Sequence, residues 1–311
     1  MYGVPQGSIL GPLLFVCYLT GLPSISEENS FDMVLYADDA NLVFSGKNPH
    51  EIEYRAGLEM LKIKQFLNSA HLLLNTNKTN FISFHTKQNR NPLNPIITIE
   101  DYSVEQLTDT KFLGLIIDCN LSWDEHVKFL TKKLSSGLYA LRRMKHYCNL
   151  TTLKTIYFSL LQSHISYGIA IYGGTTKKNL DYILKLQKKA IRIILNLSNN
   201  ESVKKYFKEL KFLTVYDLYI LETVKYCKHN HVLNSQSQTH TYNTRNHFIS
   251  ERHNIELYKK KTTFAGLRFL QCLPQDIRIE HNLSQFTSKL KSFLLNISCY
   301  SFEEFYELTV S

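Results

Sequence analysis

The sequence holds a single tryptophan in 311 residues, and its six cysteines, at 17, 119, 148, 227, 272 and 299, form no CxxC pair. That spacing excludes a zinc ribbon or a thioredoxin-type site. Scattered single thiols fit a reducing compartment. Long apolar runs are missing too. Ile9–Leu19 covers 11 residues and is interrupted by Pro12, well short of a membrane span. Residues 1–8 contain no Lys or Arg, so no signal-peptide leader is expected. The expected setting is intracellular, nucleus or cytoplasm, without a membrane anchor. Gly173-Gly174 lacks the Lys-Ser/Thr context of a P-loop, and no internal repeat is visible.

What is present is enough apolar material for a core: 44% hydrophobic residues, with 18 Phe and 19 Tyr. A disordered tail is thereby excluded. The net charge of +9 is unevenly placed. Residues 1–126 hold 8 Lys/Arg against 15 Asp/Glu, a net of −7, and residues 127–311 hold 28 against 12, a net of +16. A basic second part fits a nucleic-acid surface, and equally a set of solvated Lys-rich helix faces.

Residues 1–22 read as a glycine-rich loop entering a helix, with Pro12 in its first turn and Leu13–Leu19 as a buried apolar run. Phe31–Tyr36 and Asn41–Ser45 read as strands around a tight turn, Ala37–Ala40. A helix follows with Asn48 as N-cap, Pro49 first, Glu51 at capping-box spacing, and a core stripe of Ile52, Ala56, Met60, Ile63, Leu67 and Ala70. Short strands are expected at Leu72–Asn75, Thr79–Phe84, Ile96–Ile99 and Lys111–Asp118.

From Ser122 the pattern turns helical. Ser122 and Glu125 form a second capping-box pair. Val127, Leu130, Leu134, Leu138 and Leu141 make one face, with Lys128, Lys132, Lys133, Arg142 and Arg143 mostly off it. A second helix from Thr151 turns Leu153, Ile156, Tyr157, Leu160, Leu161 and His164 inward. A third, Leu180–Leu195, sets Ile183, Leu184, Ile191, Ile194 and Leu195 against Lys185, Lys188, Lys189 and Arg192. Asn234–Asn254 is polar and reads as a linker, and the remainder as a small helical module ending with Phe286–Leu295. Cys227, His229 and His231, with His240 and His247, have no neat metal-ligand pairing, and the histidines read as polar linker residues.

Asp38 and Asp39 are adjacent carboxylates at a hairpin turn. Like charges repel there unless a cation neutralises them, and Mg²⁺ takes carboxylate oxygens together with substrate phosphates. Taken alone, the pair reads as an Asp-rich surface turn. It does not stand alone. Gly3-Val4-Pro5-Gln6-Gly7-Ser8-Ile9-Leu10-Gly11-Pro12-Leu13-Leu14-Phe15 comes before Tyr36-Ala37-Asp38-Asp39. After it come Asn75-Thr76-Asn77-Lys78-Thr79, Lys111-Phe112-Leu113-Gly114-Leu115-Ile116-Ile117-Asp118, then Leu121-Ser122-Trp123 and His126.

This ordered series resembles the second half of the palm in reverse transcriptases of non-LTR (LINE-like) retrotransposons. Leu138–Arg143, Ile165-Ser166-Tyr167-Gly168 and Leu186–Arg192 are similar to the thumb and post-thumb of these elements. Tyr242-Asn243-Thr244-Arg245 and Leu273-Pro274 are similar to their tail. The wording of the first loop and of Lys111–Trp123 favours the retrotransposon over a group II intron maturase. The resemblance implies an α+β fold: a partial palm over 1–120, a helical thumb and post-thumb over 121–235, a polar linker over 236–254 and a small helical tail over 255–311.

It also implies roles. Two Mg²⁺ ions bring a DNA primer 3′-hydroxyl and a nucleoside triphosphate together on an RNA template. Asp38 would be a ligand of the metals, with Asp39 its acidic neighbour, and Tyr36 would pack beside the primer end or template. Gln6 and Gly7 would lie near the templating base and incoming nucleotide. Lys78 would donate a proton or neutralise charge at the leaving pyrophosphate, unless it is a surface lysine. Phe112, Leu113 and Gly114 would form the primer grip, a role compatible with a core strand. Trp123 reads as a packing anchor. Lys128, Lys132, Lys133, Arg142, Arg143, Lys185, Lys188, Lys189 and Arg192 would meet nucleic acid.

The family carries a further catalytic aspartate on a strand before the first loop, and no Asp precedes Gly3 here. The expectation is therefore an incomplete active site, without fingers or endonuclease, in a chain inactive on its own. A truncated gene model or a decayed copy would account for it. The alternative is a non-enzymatic nucleic-acid-binding remnant acting through the basic thumb and tail.

Overall fold

The structure is a computed structural model that describes residues 7–25, 31–230 and 256–310. The linker expected at 236–254 lies outside the described residues. The chain mixes helices with small sheets, compatible with an α+β class. It divides into two compact units, Met1–Thr110 with Asp118–Leu121, and Lys111–Ile117 with Ser122–Ser311.

In the first unit, α1 spans Leu10–Tyr18, and its first turn is tied by Ser8 Oγ, which accepts the Gly11 N–H at 3.0 Å. The helix forms where expected, but of the apolar run Leu13–Leu19 only Leu19 is buried. Leu10, Leu13, Leu14 and Val16 are exposed, and Gly11 is the buried residue of the helix. An apolar sequence supplies the tendency to bury, yet no described element covers this face.

Strands β1 (Asp32–Tyr36) and β2 (Asp39–Val43) pair antiparallel from Asp32↔Val43 to Tyr36↔Asp39. The chain turns on Ala37 and Asp38, so Asp39 and Ala40 belong to the second strand rather than to the turn. Burial alternates along both strands: Met33, Leu35 and Leu42 are partly buried, while Val34, Tyr36 and Val43 are exposed. The inner face packs on a core of Leu22, Ala56, Met60, Ile63, Ile97, Ile99 and Val104. Period-two alternation is what a one-face-covered hairpin requires.

Helix α2 (Pro49–Ser69) supplies much of that core. Its start follows the capping argument: Asn48 Oδ1 accepts the Glu51 N–H at 2.9 Å, and Glu51 reaches back to the Lys47 N–H at 3.2 Å. The expected strand Leu72–Asn75 does not form. His71 takes a positive φ of 54° after the helix, and the following residues find no ladder partner. The remaining strands are short. β3 (Asn80–Phe81) pairs parallel with β6 (Glu105–Gln106), and β4 (Thr98–Ile99) pairs antiparallel with β5 (Tyr102–Ser103). Lys111–Asp118 is not one strand but part of a hairpin, β7 (Asp109–Phe112) and β8 (Leu115–Asp118).

The second unit is helical. α3 spans Asp124–Met144. Ser122 does not cap it, because Trp123 takes a left-handed conformation (φ 66°) at the N-cap position, and Ser122 Oγ accepts the Asp124 N–H instead. Asp124 and Glu125 at the start, with Arg142 and Arg143 at the end, complement the helix dipole. The expected apolar face, Val127 through Leu141, is buried throughout.

α4 (Leu150–Tyr157) is capped by Asn149. A π-helical turn, Phe158–Gln162, joins it to α5 (Ser163–Ser166). The wider turn shifts the phase, so Leu161 is buried while Leu160, expected inward, is 37% exposed. α6 (Ile169–Tyr172) leads to α7 (Lys177–Leu195). α3 and α7 run parallel: Asn179 Nδ2 donates to Asp124 Oδ1 at their starts (2.8 Å), and Lys145 Nζ to Asn196 Oδ1 at their ends (3.0 Å).

The sequence pattern did not single out α8 (Lys204–Leu210) or α9 (Val215–His229), yet α9 is the centre of the unit. Thr214 and Asp217 close its capping box. Buried Gln187 of α7 holds its entry, donating to the Leu213 carbonyl (3.0 Å) and accepting the Val215 N–H (2.8 Å). α10 (Thr262–Cys272) and α12 (Leu283–Ile297) pack on α9, with α11 (Gln275–Arg278) between them. The helical tail continues past Leu295 into α13 (Phe302–Val310), which brings Phe302, Phe305 and Tyr306 against Phe269. Among the described residues no helix is long and apolar enough to cross a membrane.

Candidate active-site hairpin and nucleic-acid interface

The β1–β2 hairpin sets the positions of its acidic residues. Tyr36 and Asp39 are directly opposed, so their side chains share the open face of the hairpin. Ala37 takes φ 52° to make the turn, and Asp38 stands at its tip. Asp38, Asp39 and Tyr36 are all exposed. Among the described residues no cation pairs with either carboxylate. At the other end of the hairpin, just outside the Asp32–Val43 pair, the Phe31 and Phe44 rings lie 5.2 Å apart and pack against the core. Two adjacent carboxylates without a protein cation fit a hard divalent ion that takes its other ligands from water and phosphate. No group of three or more His, Cys, Asp or Glu converges among the described residues.

The other expected palm residues are less concentrated. Gln6 lies outside the described residues. Gly7 has φ 83°, and nothing lies within 4 Å of where its Cβ would be, so a ligand could approach its backbone closely. Lys78 is exposed at the end of a short 3-10 turn, Thr76–Lys78, and no hydrogen bond or ion pair joins it to Asp38 or Asp39. Trp123 is buried at 7% exposure, as a packing anchor requires. Phe112 ends β7, and Leu113 and Gly114 form the β7–β8 turn, with φ of 45° at Leu113 and 85° at Gly114. All three are half-buried rather than core.

The basic residues separate into two groups. Lys128, Lys132, Lys133, Arg142 and Arg143 on α3, with Lys185 and Lys189 on α7, are exposed. Positions 125, 128, 132, 136, 139 and 143 share one outer face of α3, and it carries Glu125 at its start. Lys128 pairs with Glu125, and Lys133 lies over the Phe129 ring, 4.7 Å from its centroid. Lys188 and Arg192 turn inward instead. Lys188 Nζ sits over the Tyr300 ring, and burial lowers its pKa. Arg192 Nη2 donates to the Glu201 carbonyl at 2.9 Å.

Sequence reasoning missed the side chains that hold the β7–β8 turn. The Tyr167 hydroxyl donates to the Leu113 carbonyl at 2.5 Å, and His126 Nδ1 accepts the Ile116 N–H at 3.3 Å. Burial, then the Lys133 charge, lowers the His126 pKa to about 4, so the ring is neutral and able to accept. Tyr167 and His126 both stand in recognisable motifs, but their long-range partners leave no local signal. Cys227 is buried against Thr262 and Thr263, in a packing role.

A family model described as reverse transcriptase (RNA-dependent DNA polymerase) matches residues 1–130, the span that holds the Asp38–Asp39 hairpin and the β7–β8 turn. Residues 1–130 are thus similar to reverse transcriptases. The chain is 27% identical over 220 residues to a probable RNA-directed DNA polymerase from transposon X-element of Drosophila melanogaster, covering 69% of this chain and 24% of that protein. It is 27% identical over 204 residues to the RNA-directed DNA polymerase from mobile element jockey of the same species, covering 62% of this chain and 22% of that one. A retrovirus-related Pol polyprotein from type-1 retrotransposable element R1 of Nasonia vitripennis is 24% identical over 185 residues, with 57% and 55% covered. The chain is thus a relative of LINE-like reverse transcriptases, and it spans about a quarter of the length of the two fly polymerases. No solved structure matches.

Proposed function

We propose that this chain supplies part of an RNA-directed DNA polymerase of a non-LTR retrotransposon. Residues 1–120 would be the second half of the palm, 121–235 the thumb and post-thumb, 236–254 a linker and 255–311 a tail. The observation that carries this reading is the Tyr36–Asp39 hairpin, with two exposed, unneutralised carboxylates beside an exposed tyrosine. It lies within the reverse transcriptase match.

Asp38, with Asp39 beside it, would hold Mg²⁺ through its carboxylate oxygens. The bound ions supply charge neutralisation of the triphosphate and activation of the primer hydroxyl. The chain's own groups do the rest. Tyr36 flanks the primer end, and Gly7 leaves its backbone open to the nucleotide. Lys78 offsets charge on the leaving pyrophosphate. Phe112, Leu113 and Gly114 support the primer strand. The outer faces of α3 and α7 take the phosphates of an RNA template and DNA primer. A third carboxylate and a strand beside β1–β2 would complete such a site.

Primer extension on an RNA template with Mg²⁺ tests this. Activity is expected once the chain is joined to a segment that supplies a further strand and aspartate. In that joined enzyme Asp38→Ala should cost on the order of 10³-fold, since metal charge stabilisation is worth several kcal/mol. Incorporation that is indifferent to Asp38→Ala would overturn the assignment. If the chain binds nucleic acid but no joined form polymerises, the non-enzymatic reading takes its place.

A further inference from the structure

We infer that Tyr167 is a positioning residue for the Leu113–Gly114 turn, an inference that rests on reading that turn as the primer grip. Four observations converge on one small contact within the helical unit. The Tyr167 hydroxyl donates to the Leu113 carbonyl at 2.5 Å. Gly114 faces the same ring closely enough that a Cβ there would stand 3.1 Å from Tyr167 Cε1. One residue on, Gly168 lies so close to buried Leu115 that its Cβ would meet Leu115 Cδ2 at 2.8 Å. From the other side, His126 Nδ1 takes the Ile116 N–H at 3.3 Å.

The place where the hydrogen bond lands gives it a purpose. Leu113 is a leucine at φ 45°, a left-handed conformation that side chains rarely adopt and that persists only when surroundings hold it. The Tyr167 hydroxyl grips the carbonyl of that same residue. Tyr167 is itself 57% exposed. Its ring stands out from the junction of α5 and α6 to reach the turn, and it contributes little to the helical core. The Leu113-Gly114 pair and the Tyr167-Gly168 pair lie 54 residues apart, from Leu113 to Tyr167, and are two halves of one joint. The joint fixes the turn's backbone orientation against α3 and α5, and through it the path of the primer strand.

Tyr167→Phe removes the hydroxyl and nothing else. The full chain, wild type and variant, is compared by amide hydrogen exchange and by binding of an RNA template with a DNA primer that ends in a photoreactive 3′ nucleotide. The expected result has three parts. Exchange at Leu113–Ile116 rises about fivefold, the value of one typical hydrogen bond, while α3 and α7 stay protected. Overall affinity stays within about twofold. Cross-linking through residues 111–117 falls about fivefold.

Unchanged exchange at the turn overturns the joint, and unchanged cross-linking overturns the positioning role. If wild-type protein binds the primer–template but never cross-links through 111–117, the primer-grip reading fails. The positioning role fails with it, while exchange still decides the joint. Should Tyr167→Phe disturb the helices, Tyr167→Leu at this exposed position removes both the hydroxyl and the ring contact and is expected to give the same three results.

Discussion

Lys188 lies over the face of Tyr300, its Nζ 3.7 Å from the ring centroid. The lysine belongs to the basic face of α7 by sequence, but the stretch before α13 covers it. A cation held on an aromatic face contributes about 0.5–2 kcal/mol, more as it is desolvated. Lys188→Ala should therefore lower the unfolding free energy by about that amount in urea titrations and leave nucleic-acid affinity unchanged. A loss of affinity at unchanged stability would return Lys188 to the binding face.

The exposed cations predict the opposite pattern. Replacing Lys132 or Arg143 by Ala should leave stability within about 0.5 kcal/mol and weaken nucleic-acid binding without regard to sequence. The slope of log affinity against log salt should fall by roughly 0.7–0.9 per substituted contact. Fluorescence anisotropy over a salt series measures it. A slope that none of the exposed residues changes would make these faces merely solvated.

The carboxylate pair predicts metal binding that needs no polymerase activity. Mn²⁺, a paramagnetic stand-in for Mg²⁺, should broaden the amide signals of Tyr36–Ala40 before any others in the first unit. Asp38→Asn should weaken that effect on the order of tenfold or more, since even outer partners of a metal ligand are worth that much. Broadening that ignores the substitution would place the metal elsewhere.

Asp217 and His126 pull stability in opposite directions with pH. Burial raises Asp217 to about 7, against ~3.9 in an unfolded chain. The folded chain holds the extra proton between those values, so stability falls as pH rises from about 4 to about 7. Burial lowers His126 to about 4, against ~6.5 unfolded. There the unfolded chain holds the extra proton, and stability falls as pH drops from about 6.5 to about 4. In the native chain the two slopes largely cancel. Asp217→Asn should leave stability rising with pH over that window, and His126→Gln should leave it falling, each by up to about 1.4 kcal/mol per unit. Urea denaturation across the window checks both, and three parallel profiles would refute the assignment.

Where a structural feature is made by neighbours in sequence, it was legible. Asn48, Pro49 and Glu51 announce the start of α2 because all of its capping partners lie within four residues. The buried face of α3 follows from helical spacing alone. The Asp38–Asp39 hairpin was legible because a tight turn and its two strands are local.

Features that depend on distant chain were not. The β3 strand, Asn80–Phe81, exists by pairing with Glu105–Gln106, so its short length could not be read from its own residues. Leu13 and Leu14 read as core, but burial needs a covering partner that their sequence does not specify. Lys188 and Arg192 read as surface because Tyr300 and Glu201 come later in the chain. The left-handed Trp123 displaced the expected Ser122 cap, and nothing in the residue type foretells that backbone.

The π-helical turn at Phe158–Gln162 bears on insertions and deletions in this region. An α-helix advances about 100° per residue, and a π turn is where one surplus residue is absorbed. Loss of a single codon here, at exposed Ser159 for example, would convert the turn to regular α-helix and leave Ile165 in the core and the Tyr167 ring against Leu113. A codon lost from α4 just before it, where no surplus residue is stored, would rotate the helix beyond by that angle. Gene copies shortened by one residue in the π turn would keep the geometry that joins two motifs, and copies shortened beside it would lose it.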